Sequence, residues 1–298
     1  MSVRRRMVLS YPAFFTIYSV SIVVAFFLGV LVLMGWKEMS IRRALLSLRY
    51  NAVYIIILVA FPLLLVLSQH MAANAISGPD DTSKEVHYTN WIFSIAGGAV
   101  AILQDRLNHA IVTDFFAITY VWLFTFLTGF VPILLLAKDD RATLRTYAIA
   151  TVLNYLVLAP FYIFFPVTVT GSNIAAQTTP LLYADPIWGR MVTNVDPLNN
   201  DFPSGHVSLS VTAFLIFATA GTTYRRFSYF LGATTVATVV AVLCLGIHWP
   251  ADVLAGFLVG IFAAVAARNE RIQMTMDRWV RAVSDRIFKP EEEGSRPK

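Results

Sequence analysis

Polar and apolar positions along this chain fall in long blocks, not at the short periods of a soluble helix or strand. No Asp, Glu, Lys or Arg occurs between Met7 and Trp36, and none between Tyr50 and Pro79. An α-helix needs about 20 apolar residues to cross the hydrocarbon core of a bilayer, so each block has room for one span. Extended along the chain, the pattern predicts spans at 12–34, 50–71, 113–137, 146–166, 206–222, 228–247 and 251–267. That makes seven, with six to eight compatible with the pattern. The stretch IFSIAGGAVAILQ (92–104) is apolar but short, and its Gly97-Gly98 pair weakens a helix. It reads as a re-entrant or interfacial element against the bundle. The expected fold class is all-α: a polytopic transmembrane helix bundle.

After the last span the period changes. Ile272, Met276, Trp279, Val280, Val283 and Ile287 recur at helical spacing, with arginines on the rest of the cylinder. This predicts an amphipathic helix lying in the membrane interface, followed by a disordered tail, KPEEEGSRPK. Three regions follow: 1–112 with the N-terminal spans and an outer loop, 113–267 as the main bundle, and 268–298 as amphipathic helix and tail.

Charge sets the orientation. Lys37, Arg42, Arg43 and Arg49 share one loop; Lys138, Arg141 and Arg145 share another; Arg225 and Arg226 mark a third, and the tail from Arg268 is arginine-rich. With seven spans all four segments fall on one side, which the positive-inside rule makes cytoplasmic. Arg4, Arg5 and Arg6 oppose this and are outvoted. The basic start lacks the short apolar core and small-residue cleavage site of a signal peptide. A net charge of +5, much of it in the tail, suits anionic lipid headgroups rather than nucleic acid. The single cysteine, Cys244, excludes an internal disulfide.

Two polar stretches interrupt the apolar blocks on the outer side. NNDFPSGHVSLSV (199–211) holds Pro203, Ser204, Gly205 and His206 at a helix start; LGIHWPADVLAG (245–256) holds His248 and Asp252 four residues apart. The i,i+4 spacing puts imidazole and carboxylate on one face of a helix or of its leading turn. A carboxylate there can fix the tautomer of the ring and sharpen its other nitrogen as a nucleophile. At the first stretch Ser204 can cap the helix and Gly205 lets the backbone approach a ligand, leaving free N–H groups for an anion such as phosphate. Alone, His206 could be a cap and nothing more. Joined to His248 and Asp252, it belongs to a cluster of titratable groups, the usual mark of a site. His70, His87 and His109 have no such company.

At these residues the chain resembles the type 2 phosphatidic acid phosphatase superfamily, which includes the vanadium haloperoxidases. The resemblance rests on Pro203–His206 and on His248–Asp252, and spans roughly 110–267. It implies that His248 is the nucleophile taking a phosphoryl group, that Asp252 orients it, that His206 protonates the leaving group, and that Ser204 and Gly205 help hold phosphate. It implies no cofactor and no metal, and no further ligand is legible nearby. Two phosphate-binding cations of typical members are missing: the region around YIFFPVTVTGSN has none, and Ala241 and Val242 stand where Ser-Arg is expected. The inositol phosphorylceramide synthase and sphingomyelin synthase branch also lacks them, and TDFFAITYVWLF looks similar to that branch. Arg190 is the first candidate replacement, then Arg106 and Lys84. The implied function is an integral membrane lipid phosphatase or phosphotransferase of the cell membrane, working through a phosphohistidine on the extracytoplasmic side. Its partners are a phosphorylated lipid and the bilayer. The rival reading is a non-catalytic lipid-phosphate binder or transporter. Gly256 and Gly260 form a GxxxG suited to close helix packing.

Overall fold

The computed structural model describes residues 11–34, 41–75, 83–107, 109–172, 176–193 and 198–287. The triple arginine at 4–6 and the tail beyond 287 lie outside the described residues. The fold is an all-α polytopic bundle. Five helices are long and apolar enough to cross a membrane on their own: Tyr11–Leu33, Ala44–Gln69, Ala110–Ala137, Arg141–Phe164 and Thr222–Cys244. The elements are labelled in chain order. The first six are α1 (Tyr11–Met34), α2 (Ile41–Ala75), α3 (Ser83–Ala96), α4 (Gly98–Leu107), α5 (Ala110–Ala137) and α6 (Arg141–Phe164). They are followed by α7 (Gly205–Ala218), α8 (Arg225–Cys244), α9 (Pro250–Ala266) and α10 (Glu270–Ile287).

The element expected at 92–104 is a pair of helices, α3 and α4, bent by 69° at the Gly97-Gly98 break. They cross one end of the bundle. Ile92 is buried there with Val167, Ala176 and Trp249. α2 begins before its apolar block, since a helix can run past the bilayer into water while the block cannot. α7 is shorter than the expected 206–222. It stops at Ala218, where the chain turns through Gly221 at φ 96°, a left-handed conformation that glycine adopts without penalty. At 14 residues α7 rises only about 21 Å, less than the ~30 Å hydrocarbon core. Irregular backbone of the described residues 165–172 and 198–204 lies beside its start. Such backbone is tolerated at depth where protein surrounds it.

α6, α7, α8 and α9 form the centre. α7 and α9 touch backbone to backbone: a Cβ on Gly256 would lie 2.5 Å from the Ser204 carbonyl, and one on Gly260 2.6 Å from that of Ser208. The GxxxG expectation is met. Asn154 of α6 bonds Ala150 O and Thr212 Oγ1 at 2.9 Å each, and Ser208 Oγ donates to Asn154 Oδ1. Thr212 in turn donates to Ser208 O at 2.8 Å. With Thr212 Oγ1 also bonding Gly260 O of α9 at 3.2 Å, this buried network joins three helices.

The opposite end of the bundle carries α10, turned 75° from α9. Ile272, Met276, Val280 and Val283 pack on the core, while Trp279 is half exposed. Arg145 of α6 binds Asp277 at 2.7 Å and Gln273 at 2.9 Å, and Tyr54 of α2 donates to Asp277 at 2.7 Å. The amphipathic helix is thus clamped to the bundle, not merely laid on a surface.

Candidate active site

The two motifs reach one place because the backbone ties them together. Residues 165–172 run between the approach to α7 and the approach to α9. Val167 and Val169 donate to Asn199 and Leu198, Asp201 donates back to Val167, and Thr170 donates to Ile247. The Ser204 N–H donates to the Asp252 carbonyl at 3.0 Å, a direct link between the motifs.

At the mouth of α7, Ser204 is the N-cap. Its hydroxyl accepts from Val207 N at 3.4 Å and is fully buried, so it is engaged in capping. Gly205 faces Tyr162: a Cβ there would lie 2.7 Å from the phenol oxygen, and Tyr162 donates to Pro203 O at 2.9 Å. The His206 ring is sandwiched, stacked on Tyr120 at 4.0 Å between centroids and tilted against Phe124 at 4.1 Å. A π-helical turn, Ile118–Leu123, interrupts α5 at this level, a distortion often found at sites.

At the mouth of α9, Gly246 takes φ 69° and a Cβ there would meet Thr179 O at 2.5 Å, so the turn into His248 requires glycine. Pro250 occupies the first turn, where its missing N–H costs nothing. Trp249 is fully buried, with its indole donating to Thr168 O at 3.0 Å. Asp252, also fully buried, accepts the Trp249 N–H at 2.7 Å on the same oxygen that lies 3.6 Å from His248 Nδ1. That separation is longer than a hydrogen bond. His248 Nδ1 and Asp252 Oδ1 have no hydrogen-bond partner. The Trp249 N–H therefore fixes the carboxylate beside the ring.

His206 and His248 both line a cavity of about 280 Å³, together with Gly205. One wall comes from α2 through Pro62, Leu65 and Val66; Tyr155 and Tyr162 of α6 face it. Asn200 and Asp201 close the end near the loop, and Gln69 adds a side-chain nitrogen that is buried without a partner. No Lys or Arg is among the described residues lining it. Arg190 is exposed and lies over the Tyr11 ring at 4.4 Å; Arg106 and Lys84 are exposed on α4 and α3. The fold does not bring these three candidates to the cavity. His87 and His109 are exposed elsewhere.

Several residues of the site escaped sequence reasoning. Asp201 is buried, and its carboxylate falls with His248 and Asp252 in a set whose donor atoms all lie within 4.8 Å of one another. This set has the donor types that could hold a divalent ion, so the third ligand missing from the sequence pattern is supplied by the fold. Gln104 of α4 bonds Thr179 N and O at 2.9 and 2.8 Å and Cys244 O at 3.0 Å, pinning the turn that carries His248. The only sequence signal for Asp201 is its place two residues before Pro203.

Residues 170–271 match the model of the PAP2 superfamily, a stretch that includes His206, His248 and Asp252. Neither the comparison with curated proteins nor that with solved structures gave a match. The matched segment covers α7, α8 and α9 and leaves α1 to α6 outside. With the apolar helices, it supports a membrane-embedded protein of the phosphatase type.

Proposed function

We propose that this protein transfers the phosphoryl group of a membrane lipid through a phosphohistidine on His248, with water or an alcohol as acceptor. The observation that carries this reading is the convergence of His206 and His248 on one cavity, with Asp252 held 3.6 Å behind His248 Nδ1. Nδ1 faces the carboxylate, so Nε2 is the nitrogen left to attack phosphorus. His206 gives a proton to the departing lipid oxygen, then takes one from the acceptor. Asp252 stabilises the ring as it gains positive charge. N–H groups at the start of α7 and Gln69 face the equatorial oxygens, a neutral set of donors where related sites use cations. The apolar wall from α2 lets the lipid chains remain against the bilayer while the phosphate enters.

If arginine-rich loops mark the cytoplasm, the cavity opens to the extracytoplasmic leaflet. The test is a trapping experiment. Full-length protein in lipid nanodiscs is given lipid labelled in the phosphate, quenched in alkali and separated. Label bound to protein, lost in acid and absent from His248→Ala, is the expected result. Turnover without such label, or turnover that survives His248→Ala, overturns the scheme.

A further inference from the structure

At the α10 end a second cavity, of about 520 Å³, opens between α2, α6 and α10. Its volume falls within the range of ligand chambers, roughly 300–1,000 Å³. Ile57 and Phe61 of α2 and Val152 and Leu156 of α6 line it. They lie about one to three helical turns further into the bundle than Tyr54 and Arg145, which hold Asp277 of α10. The chamber therefore runs from α10 along α2 and α6 into the span of the bundle, the course of a lipid chain. Met276 and Trp279 of α10 form part of its rim, and apart from Arg271 and Thr275 the whole lining is apolar.

Hydrocarbon gains nothing by leaving other hydrocarbon, so the apolar walls accept a chain without choosing a lipid. The choice is made at the rim. Arg271 is exposed there, and its guanidinium has no hydrogen bond or ion pair with a described residue. The same holds for the indole N–H of Trp279, a residue 52% exposed. Arg278 follows Arg271 on the same stripe of α10 and is exposed too. The nearby Asp277 carboxylate does not offset these charges, because Arg145 and Tyr54 already hold it. Glu270 and Asp285 are exposed on α10 but outside the lining. An arginine beside an interfacial tryptophan offers the two donors that a phosphate and its ester oxygens accept.

We propose that this chamber binds an anionic phospholipid, at a site separate from the cavity of the two histidines. One acyl chain lies along α2 and α6, the phosphate sits against Arg271, and the Trp279 N–H donates to an ester or phosphate oxygen. The lipid is a ligand and not a substrate: no histidine, cysteine or carboxylate is among the described residues lining the chamber. It touches three helices at once, so its occupancy adds to the clamp between Arg145 and Asp277 and stabilises the folded state by mass action. Nothing at this site takes part in the chemistry of the two histidines.

The test reads the fluorescence of Trp279. Purified full-length protein is placed in phosphatidylcholine nanodiscs doped with a small fraction of phosphatidylglycerol or phosphatidylcholine whose acyl chains carry bromine, a quencher on contact. The Trp279 part of the signal is the difference between wild type and Trp279→Phe. Brominated phosphatidylglycerol is expected to half-quench that part at about a fifth of the fraction needed with brominated phosphatidylcholine, the preference that one arginine near a membrane surface gives. Arg271→Gln is expected to abolish the preference and Arg271→Lys to keep it. Arg226→Gln, which removes an exposed arginine at the same end but outside the chamber, is expected to leave it unchanged. Unbrominated phosphatidylglycerol is likewise expected to raise the unfolding temperature of wild type more than that of Arg271→Gln. Equal quenching by both lipids overturns the inference, since the chamber then takes any lipid that surrounds it. A preference that survives Arg271→Gln, or that Arg226→Gln removes as well, also overturns it, because the charge of the whole surface then does the selecting. Absence of quenching by either lipid overturns it too: a second copy of the chain or another segment then covers the chamber.

Discussion

The two ends of this bundle treat charge in opposite ways. At the end carrying α10, two basic groups are matched: Arg145 with Asp277 and Gln273, and Arg268 with Leu215 O at 2.9 Å and with Thr219 and Ala264. Tyr224 there donates to Asp140 at 2.9 Å and joins two loops. At the other end the balance is reversed. Asp201 and Asp252 are buried beside two histidines, and the described lining of the cavity has no cation. A second negative charge about 5 Å from either carboxylate would cost roughly 3 kcal/mol at an effective dielectric near 20. The first end is the better satisfied, although Arg145 Nε finds no partner, and it holds the fold together. The second leaves His248 Nδ1, Asp252 Oδ1 and Gln69 Nε2 without a hydrogen-bond partner. Polar groups buried without partners are expensive, so they persist where binding or chemistry uses them.

If that division is right, substitutions at the two ends separate turnover from stability. The largest effect on turnover is expected from His248→Ala, a loss of at least ~10³-fold, because no other group can hold the phosphoryl unit. Thermal unfolding in detergent is expected to change little, since the ring lines the cavity and its removal breaks no hydrogen bond at Nδ1. A collapse of stability with turnover would put His248 among the structural groups. Asp252→Asn comes next. The amide can still accept the Trp249 N–H but cannot stabilise a positive ring, so a small residual rate, roughly 10²-fold or more below wild type, is expected.

Gly256→Ala tests the join between the two helix mouths and is expected to move both quantities. Its Cβ would sit 2.5 Å from the Ser204 carbonyl, and backbone cannot yield as a side-chain tip can. Overpacking of this kind costs about 1–3 kcal/mol, and displacement of α7 from α9 is expected to lower turnover about tenfold. A variant with normal turnover and a lowered melting temperature would show that the mouths do not depend on this contact. At the satisfied end, Asp277→Ala removes the partner of Arg145 and Tyr54. Both ion-pair groups keep some exposure, so the expected loss is about 1–2 kcal/mol of stability with turnover per folded molecule unchanged.

The same division explains what was legible in the sequence. Five of the seven expected spans were legible because apolar blocks report directly on the bilayer, and the bend at Gly97-Gly98 because glycine is a local signal. His206, His248 and Asp252 were legible because their spacing is local too, four residues in one case and a helix start in the other. Asp201 was not, because only the pairing of Val167 with the 199–201 segment places it near His248. Gln104 acts across 140 positions, to Cys244, and Tyr120 and Phe124 meet His206 from another helix, through a π-helical turn that no composition announces. Arg190 was proposed for its charge and loop position, yet Tyr11 receives it, a contact between segments far apart in the chain.

The smallest perturbation asks which end faces the cell interior. A cysteine at Leu198, 40% exposed beside the approach to the cavity, adds a thiol without touching the histidines. A cysteine at Thr222 does the same in the exposed turn at the satisfied end. The native Cys244 is buried and leaves a quiet background. In intact cells a membrane-impermeant thiol reagent is expected to label Leu198→Cys, and to label Thr222→Cys only after permeabilisation. Both variants should keep wild-type turnover. The arginines near the α10 end, among them Arg141, Arg145, Arg225, Arg226 and Arg268, would then sit with the cytoplasmic leaflet as the positive-inside rule requires. The cavity would take its lipid from the opposite leaflet. Labelling in the reverse pattern would leave the chemistry of the two mouths intact but move it to the cytoplasmic face. It would also mean that Arg4, Arg5 and Arg6, outvoted by the loops, had set the orientation.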